Sequence, residues 1–395
     1  MERAQLIQLV RATGSAEERG GFIFLCDPKW GAAERSQLAE MQSQLPAGGA
    51  LKETGWLCVP SGGTSGRLKF ARHDEETLGA AVSGFCGHFG LTRVNTVDVL
   101  PLHHVSGLMA RVRSVATGGR HVAWNWKELE AGVRPELAME ADGWVLSLVP
   151  TQLQRLLGSG ESADWLRRFR VIFIGGGPAW AALMEDAARA RLPLSLCYGM
   201  TETAAMVAAL RPEEFAAGLR NCGRAMTHAR IEILDDASGA VLPAGETGLV
   251  KIGGGSMFRS YFPDTRAGGT LTTEDLGWID ADGRLTIVGR RDAVIITGGK
   301  KVFPIEVEAA LRASGLFSDV AVVGVADAEW GQRVVACYPA AQAMPDGTVL
   351  NAAMAGFAPH QRPKAFIAVT EWPRNEQGKV NRAALLRAAF GETAG

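Results

Sequence analysis

The segment Ser61-Gly62-Gly63-Thr64-Ser65-Gly66-Arg67-Leu68-Lys69 directly follows a short apolar run, Trp56 to Val59. The apolar run is typical of a buried strand, and the glycines after it let the backbone turn sharply and approach a ligand closely. Successive main-chain N–H groups in such a turn form a concave anion site, to which the hydroxyl groups and the terminal lysine add donors. The segment therefore predicts a strand followed by a loop that grips a polyphosphate.

This segment differs from the common nucleotide P-loop, which ends in Gly-Lys-Ser/Thr and opens a helix. The alternative interpretation is a flexible surface loop without a ligand. Taken by itself, the segment leaves both interpretations open.

The pattern along the chain predicts an α/β fold, because short apolar strands alternate with amphipathic helices and such units favour parallel pairing. Strands are expected at 21–26, 97–100, 145–149, 171–174 and 193–197, and helices at 33–44, 75–90, 106–115 and from Pro150. The rest of residues 1–60 is expected to be irregular. From about Ile231 short strands separated by Asp/Gly turns predict a β-rich region, at 231–234, 248–252 and 285–288. The pattern over residues 293–395 predicts a small α+β domain with helices near 305–313 and 382–390 and a strand near 320–325.

Composition narrows the class of protein. The chain has 395 residues, of which 47% are hydrophobic, so a sizeable core is expected. Its 41 Lys and Arg balance 42 Asp and Glu, which favours neither nucleic acid nor an anionic membrane as a partner. The six cysteines are scattered without a Cys-x-x-Cys pair, a pattern typical of a reducing compartment. No signal peptide and no apolar stretch long enough to span a bilayer is recognised, so membrane insertion is not expected and the predicted location is cytoplasmic.

Further motifs follow the glycine-rich segment in order. They are Tyr198-Gly199-Met200-Thr201-Glu202, Thr273-Glu274-Asp275-Leu276-Gly277, Gly289-Arg290-Arg291-Asp292 with Gly298-Gly299 and Pro304 to Glu308, and Pro373 to Arg382 around Gly378-Lys379. Together with residues 61–69 they resemble, in the same order, the adenylate-forming superfamily, which includes acyl- and aryl-CoA synthetases, luciferases and peptide-synthetase adenylation domains. The resemblance covers most of the chain.

The resemblance implies a large N-terminal domain of layered α/β subdomains plus a distorted β-barrel, followed by a small mobile α+β domain. It places the large domain at 1–291 and the small domain at 292–395, with the hinge near Asp292. Only 60 residues precede Ser61, fewer than the family usually has, so the first subdomain is expected to be short. A homo-oligomer would cover surface left exposed by the shorter segment.

The resemblance also implies the activity and its participants: a carboxylic acid, ATP, Mg²⁺ and CoA, joined through an acyl-adenylate. Thr64, Ser65 and Lys69 correspond to residues that hold the β- and γ-phosphates, within the set of expected nucleotide-binding positions. That set is Ser61, Gly62, Gly63, Thr64, Ser65, Gly66, Lys69, Gly175, Gly176, Gly177, Tyr198, Gly199, Met200, Asp275, Arg290, Gly298 and Gly299.

Individual roles follow from the same motifs. Thr201 corresponds to the hydroxyl beside the α-phosphate, and Glu202 to the glutamate that organises magnesium. Tyr198 corresponds to the residue that stacks near adenine, Asp275 to the ribose-binding carboxylate, and Arg290 to the arginine near ribose and phosphate. Gly298 and Gly299 would line the pantetheine path, and Lys379 corresponds to the mobile adenylation lysine. These roles have plain alternatives: a helix cap for Thr201, a half-buried core tyrosine for Tyr198, a surface ion pair for Arg290 and an exposed lysine for Lys69 or Lys379.

Two positions depart from the family pattern. Glu274 stands where the family usually has glycine, so the turn there must avoid a positive φ. Lys300 stands where most members have glutamate after Gly298-Gly299.

The acid is suggested by three segments. Pro101 to Leu108 with its continuation to Arg113-Ser114, Gln152 to Leu157, and Gly175-Gly176-Gly177-Pro178-Ala179 resemble the branch of the family that activates o-succinylbenzoate. This acid carries a second carboxylate, so a cation is expected in its pocket, and Arg113 is the candidate, with His104 and Ser106 as further pocket residues. The alternative interpretations are a surface arginine for Arg113 and a structural histidine for His104. Another aryl- or acyl-CoA ligase, an enzyme that loads a carrier protein, and an inactive nucleotide-binding scaffold remain as alternative functions.

Overall fold

The computed structural model describes residues 1–52, 54–61, 68–138, 141–264, 268–374 and 380–391. Its first part is a small mixed sheet with helices packed on it. The elements are α1 Arg3–Arg11, β1 Ala16–Arg19, β2 Phe22–Leu25, α2 Ala32–Ser43, β3 Leu57–Ser61, β4 Lys69–His73 and α3 Glu75–Phe89. The strand order is β1-β2-β3-β4, with β2 and β3 parallel and the outer pairs antiparallel.

The expectation that residues 1–60 are irregular apart from the strands at 21–26 and 56–59 and the helix at 33–44 was wrong. Leu6, Leu9 and Val10 have the i, i+3, i+4 spacing of a helix face, and α1 buries them in the same cluster as Trp56 and Leu57. The short β1 was missed because its sequence, Ala-Glu-Glu-Arg, does not alternate apolar and polar residues.

Helix α3 begins and ends as its sequence predicts. The Asp74 carboxylate accepts a hydrogen bond from the Thr77 N–H and so caps the first turn. At the other end Gly90 adopts a left-handed conformation with φ 60°, which stops the helix at little cost for glycine.

The central part of the large domain is a sheet covered by helices. The elements are β5 Asn95–Asp98, α4 Val105–Ala116, β6 His121–Ala123, α5 Trp126–Glu130, β7 Trp144–Leu148, α6 Pro150–Leu157, α7 Gly160–Leu166, β8 Val171–Ile174, α8 Ala181–Arg189, β9 Leu194–Met200, β10 Ala205–Ala209, α9 Pro212–Ala216 and β11 Arg224–Ala225. The strand order is β11-β10-β9-β8-β7-β5-β6. Strands β5 to β9 pair in parallel, which confirms the α/β prediction, and β10 and β11 add antiparallel partners at one edge.

The β-rich region follows as an antiparallel sheet. Its strands are β12 Ala229–Leu234, β13 Gly248–Gly254, β14 Thr270–Ile279 and β15 Leu285–Arg290, in that order. This region is where the resemblance predicts a distorted barrel. A bridge between Ala71 of β4 and Tyr261 connects the first sheet to the loop between β13 and β14, and that contact brings Tyr261 toward the end of the glycine-rich segment.

The small domain contains a sheet with helices packed on it. Its elements are β16 Ile295–Thr297, β17 Lys300–Val302, α10 Pro304–Ala313, β18 Ala321–Asp327, β19 Gly331–Pro339, α11 Gly347–Ala353, β20 Ala365–Val369 and α12 Arg382–Phe390. Helix α10 packs against α8 of the large domain, where Ala309 contacts the core beneath the central sheet. Across the residues that the structure describes, no helix has both the length and the apolar character needed to cross a membrane.

Candidate active site

The turn between β9 and β10 carries two of the predicted site residues, Thr201 and Glu202. It is a single 3-10 turn followed by a strand, so the helix that a capping role for Thr201 would require is absent here. A Cβ added to Gly199 would lie 2.0 Å from the carbonyl oxygen of Ala205, so only glycine allows β10 to approach β9 this closely. Ala204 and Ala205 have φ values of 51° and 80°, a strained conformation for alanine of a kind that clusters at functional sites.

Glu202 connects this turn to the end of the glycine-rich segment. Its side chain is buried, and its Oε1 accepts hydrogen bonds from the Ser61 hydroxyl and from the Tyr261 hydroxyl, both at 2.7 Å. The Lys69 ammonium lies 5.7 Å from the centre of the Tyr261 ring. Ser61 and Lys69 are paired residues of β3 and β4, so both described ends of the predicted phosphate loop lie beside Glu202.

This donor set fits magnesium. Within the described part of the chain, no group of three or more His, Cys, Asp or Glu side chains is placed to hold a metal ion alone. A site with one carboxylate next to a phosphate-binding loop is what Mg²⁺ uses when nucleotide oxygens and water supply its remaining ligands. Burial and the charge of Glu202 raise the pKa of Tyr261, which keeps this hydroxyl protonated as a donor to Glu202.

Thr201 is held from the opposite side by His73 of β4. The His73 Nε2 lies 2.8 Å from the Thr201 carbonyl oxygen, and its Nδ1 lies 3.1 Å from the Thr77 hydroxyl. Burial lowers the pKa of His73 to about 4, so the ring is neutral and donates its one N–H to the Thr201 carbonyl. The Glu202 carbonyl in turn accepts the Phe258 N–H at 2.8 Å, so the backbone of the turn is fixed at both residues.

Tyr198, Asp275 and Arg290 form a second cluster at the other end of the same motif. The Tyr198 hydroxyl donates to Asp275 Oδ2 at 2.7 Å, and Arg290 Nη1 lies 3.5 Å from Asp275 Oδ1. Burial and the Asp275 charge raise the pKa of Tyr198 well above its usual value. Arg290 also makes a bidentate pair with Asp292, at 2.9 and 2.6 Å, so the predicted hinge residue is connected directly to the predicted ribose-binding carboxylate.

The departure at Glu274 has a structural explanation. Glu274 lies in β14 outside the left-handed region, and its carboxylate pairs with Arg291 through two hydrogen bonds of 2.7 and 2.6 Å. Arg291 also pairs with Asp236. Glutamate therefore replaces glycine at a position where the strand needs no positive φ and where a cation is available.

The Gly175–Gly177 loop follows β8 and lies against β9. A Cβ on Gly175 would lie 2.8 Å from Cys197 Sγ, and Gly176 has φ 76°, so both positions favour glycine. Trp180, which ends this loop, is buried at the start of α8.

The predicted acid-binding residues belong to α4 and its N-cap. His104 precedes the helix, and its ring contacts that of His103 with the centres 4.5 Å apart. Ser106 lies in the first turn. Arg113, one turn from the end, is only 3% exposed, and its guanidinium carbon lies 4.2 Å from the centre of the Phe85 ring.

Arg113 is an uncompensated buried cation. Its Nε and Nη2 have no hydrogen-bond partner among the described residues, and burial lowers its pKa to about 10. A surface arginine, the alternative interpretation, does not describe this residue. Buried charged donors without acceptors are costly, so an anionic group that reaches this guanidinium would be strongly favoured.

Gly298 and Gly299 form the turn of the β16–β17 hairpin in the small domain, with φ 55° and 73°. The Gly298 N–H donates to the Trp330 carbonyl at 2.9 Å, and Lys300 is exposed beside it. No hydrogen bond among the described residues connects this hairpin to Glu202 or Asp275, so its predicted role at the pantetheine path stays a prediction. Gly62 to Gly66 and Lys379 lie outside the described residues.

Two residues of this site were not found from the sequence, Tyr261 and His73. Neither belongs to a motif: Tyr261 lies in a short aromatic run before Pro263, and His73 is a lone histidine at the end of strand β4. Nothing local indicates that they contact Glu202 and Thr201, because both contacts depend on how the sheets pack.

Comparison with known proteins identifies the family of the chain. The family model described as AMP-binding enzyme matches residues 32–262, and that of the AMP-binding enzyme C-terminal domain matches 306–379. A 2-succinylbenzoate–CoA ligase of Geobacillus kaustophilus is 34% identical over 297 residues, which are 73% of this chain and 60% of that protein. One of Bacillus licheniformis is 32% identical over 337 residues, 81% of this chain and 67% of that protein.

A solved structure shows the same fold. The o-succinylbenzoate CoA synthetase of Bacillus subtilis, in complex with the acyl-adenylate intermediate OSB-AMP, superposes with a TM-score of 0.74 at 25% identity. The alignment covers 98% of this chain and 81% of that one. The fold is thus that of the adenylate-forming superfamily, with a large N-terminal and a small C-terminal domain. The chain belongs to the AMP-binding enzyme family, and it spans about 60% of the first of the relatives above.

Proposed function

We propose that this protein is an ATP-dependent acid–CoA ligase that acts through an acyl-adenylate. The proposal rests on one observation: the motif Tyr198–Glu202 has a carboxylate at each of its ends, Glu202 itself and Asp275. At one end Glu202 is bonded to Ser61 at the edge of the predicted phosphate loop, and at the other Tyr198 is bonded to Asp275. This spacing supports a nucleotide that lies along the motif, with its phosphates at Glu202 and its ribose at Asp275.

In the first step a carboxylate oxygen of the acid attacks the α-phosphorus of ATP. A new P–O bond forms, the bond to pyrophosphate breaks, and pyrophosphate leaves with the electron pair. Thr201 and Lys379 would stabilise the negative charge that develops at the α-phosphate. Mg²⁺, held by Glu202 and the phosphates, would neutralise charge on the triphosphate when bound.

In the second step the CoA thiol attacks the acyl carbon of the adenylate. The C–S bond forms, the acyl C–O bond breaks, AMP leaves with the electron pair, and the thiol proton passes to solvent. Gly298 and Gly299 would line the path of the pantetheine arm. This step gives the proposed enzyme its acid–thiol ligase class, and its expected partners are a small carboxylic acid, ATP and CoA.

We further propose that the acid is o-succinylbenzoate, with Arg113 as the residue that binds the carboxylate that is not activated. Arg113 supports this choice because its buried guanidinium has donors without acceptors in the described residues. An acid with a single carboxylate would leave that cation unpaired. The product, o-succinylbenzoyl-CoA, would place this activity in menaquinone biosynthesis, as in the branch of the family that the α4 segment resembles.

The experiment is pyrophosphate release with ATP, Mg²⁺ and CoA, measured for o-succinylbenzoate and for 4-oxo-4-phenylbutanoate, which lacks only the ring carboxylate. We expect o-succinylbenzoate to be strongly preferred and to yield the CoA thioester. In Arg113→Met the preference should fall by roughly 30-fold or more, since removing one partner of a buried charge pair costs about 2 kcal/mol or more.

The KM for ATP serves as the control, and it should change little in Arg113→Met. An equal loss of ATP and acid binding would contradict the assignment of Arg113. Turnover of simple benzoates instead would keep the mechanism and change the substrate. No pyrophosphate release with any acid, while ATP still binds, would indicate a nucleotide-binding scaffold.

A further inference from the structure

Two buried carboxylates of the small domain hold the residues on both sides of segment 375–379, which contains Lys379. On one side, the Trp372 indole N–H and the Arg374 guanidinium donate to Asp319 Oδ2. On the other side, the Arg382 guanidinium donates to Glu308 Oε1. Asp319 and Glu308 are only 8% and 3% exposed.

The two flanks are also joined to each other. The Asn381 N–H donates to the Pro373 carbonyl at 2.8 Å, and Arg374 and Val380 form an antiparallel bridge. The base of the lysine segment is therefore a closed, hydrogen-bonded structure whose position depends on Asp319 and Glu308.

Arg312 of α10 contacts both carboxylates. Its Nη1 lies 3.8 Å from Glu308 Oε2, its Nη2 lies 3.5 Å from Asp319 Oδ1, and Nη2 also donates to the Val320 carbonyl. Each carboxylate also pairs with a cation of the flanks, Glu308 with Arg382 and Asp319 with Arg374. Arg312 is the cation that contacts both carboxylates, and it therefore links the two anchors to each other.

The same guanidinium reaches the large domain. Its central carbon lies 5.5 Å from the centre of the Trp180 ring, within the range of a cation–π contact. Trp180 is 9% exposed and ends the Gly175–Gly177 loop, which is predicted to contact the nucleotide. One side chain thus connects the edge of the predicted nucleotide site to both flanks of the lysine segment.

We propose that Arg312 is a positioning residue that couples the docking of the small domain on Trp180 to the placement of the two flanks of the lysine segment, residues 372–374 and 380–382. The consequence for catalysis rests on the proposed function, because it uses the adenylation role of Lys379. When α10 lies on α8, Trp180 covers one face of the guanidinium and keeps water from its bonds to Glu308 and Asp319. Without that cover the anchors loosen, and the flanks of the segment become more mobile.

The test is a substitution in the large domain with a readout in the small one. Trp180→Leu should speed hydrogen exchange of the described amides in residues 372–382, the Asn381 amide above all, by about 10-fold, in line with the strength of a desolvated cation–π contact. Trp180→Phe keeps an aromatic face and should restore slow exchange.

Trp165→Leu is the matched control. Trp165 belongs to the same core cluster as Trp180, is 5% exposed, and lies 5.4 Å from the guanidinium of Arg134 within the large domain. It should leave exchange at 372–382 unchanged. Equal exchange in all variants, or faster exchange in Trp165→Leu as well, would overturn the coupling.

Activity gives a second readout. In Trp180→Leu, acid-dependent pyrophosphate release should fall more than thiolysis of a supplied acyl-adenylate, and Trp180→Phe should recover it. Equal loss in both half-reactions would overturn the positioning role. Because hydrogen exchange needs no turnover, it decides the coupling even if no acid is a substrate and the proposed function fails.

Discussion

At the scale of single residues, the site contains buried polar side chains of two kinds. Arg113 is a cation without an acidic neighbour in hydrogen-bond contact among the described residues, and its unpaired donors cost folding free energy. His73 is kept neutral by burial, and both of its ring nitrogens have hydrogen-bond partners, so it fixes the Thr201–Glu202 turn in the neutral form.

His73 makes stability depend on pH in a predictable direction. Its pKa is about 4 in the folded protein and about 6.5 in the unfolded chain, so the unfolded chain binds the proton first as pH falls. The stabilisation is complete above about pH 6.5 and is lost progressively toward pH 4. Between pH 7 and pH 4.5 the wild type should lose about 2–3 kcal/mol more than His73→Gln. Urea unfolding at both pH values measures this, and parallel losses in the two proteins would refute it.

At the scale of elements, the β9–β10 hairpin determines the position of the Thr201–Glu202 turn. Its first strand belongs to the parallel sheet, and its second returns antiparallel over Gly199 through a strained pair of alanines. This hairpin is where the motif Tyr198–Glu202 changes direction, so that one end contacts Ser61 at the edge of the predicted phosphate loop and the other contacts Asp275 of β14. The hairpin as a whole, rather than any one side chain, keeps the carboxylates of Glu202 and Asp275 apart.

Gly199→Ala tests this role of the hairpin. The added methyl group would lie 2.0 Å from the Ala205 carbonyl oxygen, so β10 must shift and Thr201 and Glu202 shift with it. We expect a loss of about 1–3 kcal/mol in stability, typical of overpacking, together with a large drop in pyrophosphate release. Gly79→Ala in α3 is the control, because nothing lies within 4 Å of its added methyl group. Alanine there should be neutral or slightly stabilising by thermal melting, and an active, stable Gly199→Ala would contradict the argument.

At the scale of the whole molecule, the two domains meet where α10 packs on α8 and where Arg290 and Asp292 lead from β15 into the small domain. The proposed hinge at Asp292 lies directly beside the Asp275 cluster. A rotation there would change which part of the small domain faces the nucleotide. In the proposed mechanism, the large domain holds the nucleotide site and the small domain carries residues for two different steps.

Lys379→Ala separates the two proposed half-reactions. We expect acid-dependent pyrophosphate release to fall by about 100-fold or more, typical of removing one group that stabilises developing charge. Thiolysis of a supplied acyl-adenylate should continue at a substantial rate. Lys127→Ala removes a charge from the exposed helix α5 and should leave both steps intact. If both half-reactions fell equally in Lys379→Ala, the lysine would have no step-specific role.

Local structure and the candidate motifs can be predicted from short windows of the sequence. The strand at 171–174, the helices predicted at 75–90 and 382–390 and the β-rich region are confirmed, because each depends on apolar periodicity, capping and turn residues within such a window. Helix α1 and strand β1 escaped detection because their signal is short and comes largely from burial against the rest of the domain.

Which side chains contact each other depends on long-range packing. Ser61 and Glu202 are 141 positions apart, Tyr261 and Glu202 are 59, and Tyr198 and Asp275 are 77. Motifs indicate residue types and their order, but a hydrogen bond requires donor and acceptor atoms within about 3 Å, and such long-range distances are set by how sheets and domains pack. For the same reason, the isolation of the Arg113 cation and the contact of Arg312 with Trp180 are properties of the folded chain alone.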